Sequence, residues 1–406
     1  MRRFGLLGGK LSHSYSPQIH SMLADYGYDI IEKSEDALDG FLKSGEFDGF
    51  NVTIPYKKAV IPYCSSLSDS AKKLGNVNTV LRLPDGTLYG DNTDYFGFYY
   101  TVKNSGVEVK GKKAIVLGSG GASVTACAVL RDMGVSEVIT VSRTGENNYG
   151  NLYLHADAGI IVNATPVGMY PNCGKSPIDL AGFKNCECVF DLIYNPARTA
   201  LILQAEELGI PAFNGLLMLV AQAKKSAEIF TGANIPDSQI RVILKTLKRQ
   251  MQNIVLIGMP GCGKTTVANA LGRITGRKVT DTDDMIEKSA GMSIPDIFKT
   301  CGEEYFRRLE TEAIAEAGKQ SGTVIATGGG CVTRKENYPL LHQNGVIVWL
   351  KRDTASLPMD GRPVSQNSDL SELFKKREPL YRAFCDFEAD CVGETETAKN
   401  IAEAIL

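Results

Sequence analysis

The stretch IVLIGMPGCGKTTVANALG, residues 254–272, constrains the fold more than any other part of the 406-residue chain. An apolar run of strand length leads into a glycine-rich turn and then into a helical run. The turn, GMPGCGKT, satisfies the spacing G-x-x-x-x-G-K-[ST], in which backbone N–H groups cradle phosphates at a helix N-terminus. This strand–turn–helix unit predicts a parallel α/β sheet in the second half of the chain.

The same turn predicts a nucleoside triphosphate site. Lys264 would reach the β- and γ-phosphates, and the Thr265 hydroxyl would ligate Mg²⁺. The other predicted nucleotide contacts are Gly261, Cys262, Gly263 and Thr266. The motif identifies the phosphate donor but leaves the acceptor open.

Composition narrows the class of protein. Apolar residues make up 43% and charged residues 22% of the chain, which is ordinary for globular domains. A net charge of −2 gives no reason to expect nucleic acid or an anionic membrane as a partner. The ten cysteines have no zinc-site spacing, so we expect reduced thiols in a cytoplasmic protein, with a disulfide framework as the lesser alternative. No run approaches 18 apolar residues, so no membrane span is expected.

A second strand–turn–helix unit lies in the first half, at AIVLGSGGASVTACAVLRDMG, residues 114–134. Gly118 and Gly120 allow a tight turn and a close approach of backbone N–H groups to a pyrophosphate, with Gly121 and Ala122 beside them. The full G-x-G-x-x-G pattern needs glycine or alanine where this chain has Ser123, so a purely structural glycine turn is the alternative.

The strand that follows ends at Ser142, Arg143 and Thr144, where an NAD site usually carries an acid for the ribose 2′-OH. A guanidinium and two hydroxyls instead suit a 2′-phosphate, which favours NADP. A solvated loop arginine is the alternative interpretation.

Short β-rich runs alternate with helical runs along the whole chain, which predicts an α/β fold. The predicted strands are 3–8, 49–54, 78–83, 113–118, 137–142, 160–165, 188–193, 253–258, 323–328 and 346–350. A helix over 237–250 leads directly into the strand at 253, without a Gly/Ser linker, so the junction is placed near 250–252.

Polar clusters at strand ends in the first half resemble the shikimate dehydrogenase family. They are SHSYSP (12–17), NVTIPYK (51–57), GNVNTV (75–80), GDNTD (90–94), NATPVGM (163–169), FDLIYNP (190–196) and NGLLMLVAQA (214–223). The resemblance covers about 1–245 in the order of the family. Each cluster alone is also compatible with ordinary turn chemistry.

The resemblance implies a role for individual residues. Lys57 and Asp94 are similar to the catalytic pair, in which a lysine supplies the proton that a ketone needs on reduction by hydride. Residues similar to the substrate-binding set are Ser14 and Ser16 for the carboxylate, Thr53, Asn78 and Gln222 for ring hydroxyls, and Tyr194. Leu192 and Gly215 are similar to cofactor contacts. Lys58, next to the catalytic lysine, is expected to be exposed.

One segment departs from the family pattern. Only 18 residues, Gly145 to Val162, separate the SRT and NATPVGM motifs. This is too short for the further βα unit of the family, so the sequence predicts its loss at the edge of the cofactor domain.

Segments after the phosphate loop resemble the shikimate kinase family over about 253–406. They are DTDDMIE (281–287), GEEYFRRLE (302–310), ATGGG (326–330) and KKREPLYRA (375–383). The resemblance implies that Asp281 is a magnesium-side acid and that Asp283 contacts the acceptor hydroxyl as a base. Arg307 and Arg377 would clamp the substrate carboxylate, Gly329 would approach the ring, and Arg362 in a lid over 350–366 would approach ATP.

The two resemblances together predict a bifunctional enzyme that uses NADP(H), ATP and Mg²⁺ on small-molecule substrates. The resemblances imply a two-domain dehydrogenase followed by a P-loop kinase domain with a parallel sheet. The predicted domains are 1–94 with 215–250 for shikimate, 95–214 as a Rossmann-like NADP domain, and 252–406 for the kinase. Three alternatives stay open: a quinate/shikimate dehydrogenase using NAD, a nucleoside monophosphate kinase, and a nucleotide-binding regulatory protein. The oligomeric state is left undetermined.

Overall fold

The computed structural model describes residues 2–11, 14–353 and 370–405. Its strands form three sheets, two in the first half of the chain and one in the second. This confirms the predicted α/β class. Among the described residues, no helix combines the length and the apolar character that a membrane span requires.

The first sheet is mixed. Its spatial order is β2-β1-β3-β5-β6-β4. The strands are β1 (Arg3–Gly8), β2 (Gly27–Glu32), β3 (Gly49–Val52), β4 (Cys64–Leu67), β5 (Thr79–Arg82) and β6 (Leu88–Asp91). Strands β1, β2 and β3 run parallel, whereas β5 is antiparallel to both β3 and β6.

The second sheet is wholly parallel, in the order β11-β10-β9-β7-β8. Its strands are β7 (Lys113–Leu117), β8 (Glu137–Val141), β9 (Ile160–Asn163), β10 (Cys188–Asp191) and β11 (Ala212–Phe213). The strand order reverses between β7 and β9, and ligands bind beyond the carboxyl ends of strands at such a switch point. The turn at Gly118 lies there.

The predicted loss of a βα unit agrees with this sheet. Strand β8 lies at the sheet edge, and the chain passes from Val141 to Ile160 with only a short 3₁₀ helix, Leu152–His155, between them. An extra parallel strand here would need a crossover of about a dozen or more residues on each side of it, and eighteen residues cannot supply both crossovers.

The third sheet is also parallel, in the order β13-β14-β12-β15-β16. Its strands are β12 (Asn253–Ile257), β13 (Val279–Asp281), β14 (Val324–Ala326), β15 (Gly345–Lys351) and β16 (Phe387–Asp390). Strand β12 is buried along its whole length, as the near-continuous apolar run predicts. It delivers the phosphate-binding turn to the centre of the sheet.

The helices connect these strands. In the first half they are α1 (Ser16–Ser21), α2 (Glu35–Ser44), α3 (Asp69–Leu74), α4 (Thr93–Asn104), α5 (Gly121–Asp132), α6 (Ala200–Glu207) and α7 (Leu216–Thr231). They are followed by α8 (Ser238–Met251), α9 (Lys264–Thr275), α10 (Thr282–Ala290), α11 (Ile294–Cys301), α12 (Glu303–Gly318), α13 (Asn337–His342), α14 (Leu370–Phe384) and α15 (Glu394–Ile405). Helix α8 ends at Met251, two residues before β12 begins.

The chain forms two compact units. One holds the first two sheets and comprises 1–167, 176–194 and 204–246. The other holds the third sheet and comprises 247–406 together with the two short segments 168–175 and 195–203. The predicted domain boundaries at 94, 214 and 250 stay predictions.

Candidate active sites

A lysine–carboxylate pair forms the centre of the first site. Lys57 lies in the turn that follows β3, and Asp94 is the second residue of α4. Lys57 Nζ donates a hydrogen bond of 2.6 Å to Asp94 Oδ2. The side chains are 24% and 14% exposed, so the pair is shielded yet still reachable from solvent. Lys58, in contrast, is exposed, as the sequence predicts.

The serines predicted to hold a carboxylate lie together at the start of α1. Ser14 Oγ accepts a hydrogen bond of 3.2 Å from the Ser16 backbone N–H. Between them, Tyr15 packs edge-to-face against Tyr194, with ring centroids 6.2 Å apart. Burial raises the pKa of Tyr194, which keeps its hydroxyl neutral and able to donate. The structure therefore brings three of the predicted substrate residues to one place.

The residues predicted to hold ring hydroxyls are linked by the start of α4. Thr93 donates its backbone N–H to Asn78 Oδ1 at 2.7 Å, and its hydroxyl lies 3.4 Å from Gln222 Oε1. Thr53, just after β3, is half-buried and accompanies Lys57 in the same turn. Asn78, just before β5, and Gln222, on α7, come from different parts of the chain, so the contact through Thr93 fixes their spacing.

The glycine turn after β7 has the geometry of a phosphate cradle. Gly118 has φ 113°, and a Cβ there would lie 2.9 Å from Ala164 O, so only glycine fits. Gly120 caps α5, and a Cβ at that position would meet nothing within 4 Å. The open N-terminus, with Gly121 and Ala122 in its first turn, can present backbone N–H groups to a pyrophosphate.

Close backbone packing explains another predicted cofactor position. A Cβ at Gly215 would lie 2.1 Å from Leu192 O, so the start of α7 can approach the end of β10 only through a glycine. Leu192 N–H in turn donates to Asn163 O at 2.9 Å. These two predicted contacts, Leu192 and Gly215, therefore lie side by side near the switch point.

The segment predicted to discriminate NADP from NAD follows β8. Ser142 N–H donates to Asn147 O at 3.1 Å, which closes a small loop. Arg143 and Thr144 are exposed, and Arg143 makes no ion pair with any described residue. An unpaired guanidinium at the carboxyl edge of the sheet fits a 2′-phosphate.

The phosphate-binding turn after β12 forms the centre of the second site. Gly261 and Gly263 have φ of 82° and 98°, which only glycine adopts without strain. Lys264 is 8% exposed, and its ammonium donates to Gly258 O at 2.9 Å and Met259 O at 3.0 Å. The ammonium is thereby held over the loop. Cys262 is buried beneath the turn, and Thr266 is exposed beside it.

The predicted magnesium ligands are in contact with each other. Thr265 Oγ donates to Asp281 Oδ2 at 2.7 Å, and Asp281 Oδ1 accepts from Asp283 N–H at 2.9 Å. Among the described residues, no cluster of three or more His, Cys, Asp or Glu could hold a metal. Mg²⁺ in phosphoryl-transfer sites needs only one or two protein oxygens beside phosphates and waters, which these two residues can supply.

Asp283 has the environment of a base. Its Oδ1 is buried with no hydrogen-bond partner in the described structure. Burial, then the Asp281 charge, raises the pKa of Asp283 to about 6. A carboxylate with a raised pKa accepts a proton more readily, and the hydroxyl of an incoming substrate would supply that proton.

The glycines of ATGGG leave room for charged side chains. A Cβ at Gly328 would lie 2.9 Å from Asp283 Oδ1, and one at Gly330 would lie 2.1 Å from Arg307 Nη1. Gly329 O accepts from Arg377 Nη1 at 3.1 Å and from the Tyr381 hydroxyl. The predicted Gly329 and Arg377 are therefore hydrogen-bonded directly.

Arg307 is buried in an ion pair that the sequence interpretation missed. Its Nη1 donates to Glu310 Oε2 at 2.7 Å, and the two side chains are 7% and 1% exposed. Glu310 lies three residues after Arg307, a spacing that places both side chains on one helix face. The segment GEEYFRRLE could therefore have indicated this ion pair. Arg362 lies outside the described residues, so its predicted contact with ATP stays a prediction.

Two family models match this chain. The shikimate kinase family model matches residues 260–406, and the shikimate dehydrogenase substrate-binding domain model matches residues 6–80. An NADP⁺ shikimate dehydrogenase of Clostridium perfringens (strain SM101 / Type A) is 34% identical over 269 residues, which cover 61% of this chain and 99% of that protein. This chain belongs to the shikimate dehydrogenase family.

Solved structures give the same result for the dehydrogenase part. Shikimate dehydrogenase 1 of Peptoclostridium difficile is 40% identical, with a TM-score of 0.57 over 61% of this chain and 98% of its own. Shikimate 5-dehydrogenase of Thermus thermophilus, in complex with NADP(H) and shikimate, is 31% identical, with a TM-score of 0.56 over 61% and 99%. The chain thus joins an NADP-type shikimate dehydrogenase to a shikimate kinase domain.

Proposed function

We propose that this chain catalyses two consecutive reactions on one carbon ring. The dehydrogenase part reduces 3-dehydroshikimate to shikimate with NADPH, and the kinase part transfers the γ-phosphoryl group of ATP to the 3-hydroxyl of shikimate. The alcohol made by the first reaction is the acceptor of the second. The observation that carries the proposal is that one chain contains both the Lys57–Asp94 pair and the Thr265–Asp281–Asp283 contact.

In the first reaction, bound NADPH supplies the hydride that reduces the ketone carbon. Lys57 donates the proton that the ketone oxygen takes up as it becomes a hydroxyl. Asp94, whose Oδ2 lies 2.6 Å from the ammonium, orients Lys57 for the transfer. The lysine then regains a proton from solvent, to which the pair is partly exposed.

The same part of the chain holds the substrate at both ends. Ser14 and Ser16 bind the ring carboxylate through hydroxyl and backbone donors, with Tyr194 beside them. Thr53, Asn78 and Gln222 bind ring hydroxyls. The glycine turn at 118–121 holds the pyrophosphate, and Arg143 pairs with the 2′-phosphate.

In the second reaction, Lys264 and the backbone N–H groups of the turn hold the ATP phosphates. Mg²⁺, held by Thr265 and Asp281, would neutralise charge on the phosphates. Asp283 accepts the proton of the 3-hydroxyl of shikimate. The hydroxyl oxygen forms a bond to the γ-phosphorus of ATP, and the bond between that phosphorus and ADP breaks. Arg307 and Arg377 bind the carboxylate of shikimate, and Gly329 lets the ring approach.

The proposal is tested by incubating the purified chain with 3-dehydroshikimate, NADPH, ATP and Mg²⁺. We expect NADPH oxidation and formation of shikimate 3-phosphate, identified by mass spectrometry. Without ATP the product should stop at shikimate, and without NADPH nothing should form. NADPH oxidation with no phosphorylated product at any ATP concentration would contradict the kinase half.

Parallel reactions separate the alternatives. Quinate with NAD⁺ tests the rival dehydrogenase assignment, and a nucleoside monophosphate with ATP tests the rival kinase assignment. Faster turnover on either rival substrate than on shikimate would replace the corresponding half of the proposal.

A further inference from the structure

A cluster of four buried neutral side chains lies beneath the substrate residues of the dehydrogenase part. Its members are Asn51 on β3, Thr79 on β5, Thr93 at the start of α4 and Ser226 on α7, and we call it the polar hub. Their exposed fractions are 6%, 0%, 1% and 0%. Four elements distant in sequence therefore bring polar groups to one point that water does not reach.

The polar hub is closely hydrogen-bonded. Asn51 Nδ2 lies 3.0 Å from Thr79 Oγ1 and 2.8 Å from Ser226 Oγ, and Asn51 Oδ1 accepts from the Tyr28 hydroxyl at 2.8 Å. Ser226 Oγ lies 2.9 Å from both Thr79 Oγ1 and Thr93 Oγ1. A satisfied buried network of this kind holds its members in one arrangement.

The polar hub fixes the orientation of the Asn78 amide. Asn78 Oδ1 accepts from Thr93 N–H at 2.7 Å, from Thr79 Oγ1 at 3.1 Å and from Thr93 Oγ1 at 3.2 Å. A flipped amide would direct its NH₂ at the Thr93 backbone N–H, which cannot accept, and would lose that 2.7 Å bond. The Asn78 NH₂ is therefore turned away from the hub, and it donates to no described residue.

The same hub reaches a second predicted substrate residue. Ser226 Oγ donates to Gln222 O at 3.1 Å, and Thr93 Oγ1 lies 3.4 Å from Gln222 Oε1. Through these contacts the hub connects Asn78 and Gln222, two of the residues predicted to bind ring hydroxyls.

We propose that Thr79, held in place by Asn51, is a positioning residue of the dehydrogenase site that acts through Asn78. It keeps the Asn78 NH₂ aimed at the oxygen of a ring hydroxyl. The ligand class is a cyclic carboxylate that carries hydroxyl groups, so this inference rests on the proposed function. Losing one neutral hydrogen bond of about 0.5–1.5 kcal/mol corresponds to about a two- to tenfold change in affinity.

The test compares two matched substitutions in the full chain. Thr79→Val removes a buried hydroxyl that contacts Asn78. Thr101→Val removes a hydroxyl on α4 that is also buried but donates only to Gly97 O, at 2.9 Å within its own helix. With shikimate and NADP⁺, we expect Thr79→Val to raise KM for shikimate about three- to tenfold, with kcat and KM for NADP⁺ within about twofold. Thr101→Val should leave KM for shikimate unchanged.

A double-substitution cycle separates positioning from general loosening. If Thr79 acts through Asn78, adding Thr79→Val to Asn78→Ala should raise KM no further. Thr79→Ser keeps the hydroxyl and should have the KM of the parent chain. This variant tests the role of the hydroxyl even if Thr79→Val folds poorly.

Two results would overturn the inference: equal KM changes for Thr79→Val and Thr101→Val, or full additivity with Asn78→Ala. A parent chain that does not oxidise shikimate would instead overturn the proposed dehydrogenase function.

Discussion

The two candidate sites hold their polar residues by opposite means. In the dehydrogenase part, hydroxyl and amide groups of the polar hub bind one another beneath the substrate residues, and the Lys57–Asp94 ion pair stands alone at the centre. In the kinase part, Arg307 and Glu310 form a buried ion pair and Lys264 binds backbone carbonyls. One oxygen of Asp283 has no hydrogen-bond partner among the residues that the structure describes.

The difference follows from what each site is proposed to bind. A ring with hydroxyls and a ketone needs aimed donors and acceptors, which neutral groups supply at little electrostatic penalty. A triphosphate needs opposing charge, and buried charges are stable only when paired. Substitutions in each part test this contrast.

Lys57→Ala should reduce the dehydrogenase rate by about 10²–10⁴-fold, because a general acid typically supplies that factor. Kinase turnover in the same chain should not change. Lys58→Ala is the matched control, since Lys58 is the exposed neighbour. Steady-state rates of both variants check the prediction, and a loss below tenfold with shikimate binding intact would mean that Lys57 is not the proton donor.

Asp283→Asn should reduce phosphorylation by about 10²–10⁴-fold while ATP affinity stays nearly the same, because the glycine turn holds the triphosphate. Asp284→Asn, on the exposed side of the same helix, serves as the control. Rates and ATP binding are measured separately. A parallel collapse of ATP affinity would place Asp283 in the nucleotide site instead.

Arg307→Met should destabilise the kinase domain by about 3–5 kcal/mol, because Glu310 would be left buried without its partner. Arg308→Met, at an exposed neighbouring position, should have almost no effect. The double variant Arg307→Met/Glu310→Met should recover most of the stability. Urea unfolding followed by the fluorescence of Trp349 checks this, and an unstable double variant would argue against the ion-pair explanation.

His20 should make the dehydrogenase part lose stability in acid. The ring is buried, and this burial lowers the pKa of His20 to about 3, below its unfolded value of 6.5. The contribution of neutral His20 to the free energy of unfolding is complete above pH 6.5. It declines as the pH falls towards 3 and is lower by about 2 kcal/mol at pH 5. His20→Gln should remove that part of the pH dependence.

Amide hydrogen exchange of strand β1 at pH 7 and pH 5 reports the opening of this part alone. The same drop in protection in the parent chain and in His20→Gln would show that other groups cause the acid sensitivity.

Arg143→Ala should raise KM for NADPH about tenfold and leave NADH almost unchanged. A guanidinium–phosphate bond contributes about 1.5–3 kcal/mol, and the exposure of Arg143 places the effect at the low end. Initial rates with each cofactor check the prediction. Equal use of NADH and NADPH by the parent chain would contradict it.

The sequence predicts the parallel sheets well and the mixed sheet less well. Strands β7 and β12 are continuous apolar runs ending in glycine turns, so their type and position follow from pattern alone. Strand β2, GYDIIE, is absent from the predicted strands because its residues are mostly exposed or half-buried and show no apolar run. Short edge strands of this kind depend on pairing partners that no local pattern reveals.

For the sites, the sequence identifies groups that stand in strong motifs but not the groups that hold them. Lys57 and Asp94 are predicted as a pair, and they lie 2.6 Å apart. Ser226 lies in none of the motifs, and it is 175 positions from Asn51, so only the fold brings these two residues together. The residues of a phosphate-binding loop have a fixed spacing in the sequence, whereas the members of a buried neutral network have none.

The most direct test of two sites working in sequence is a mixing experiment with Lys57→Ala and Asp283→Asn chains. Each is given 3-dehydroshikimate, NADPH, ATP and Mg²⁺. We predict that the first alone makes no product and the second stops at shikimate. Their equimolar mixture should form shikimate 3-phosphate, because each chain retains the site that the other lacks. A mixture that forms none, although each chain retains its remaining single activity, would contradict the account.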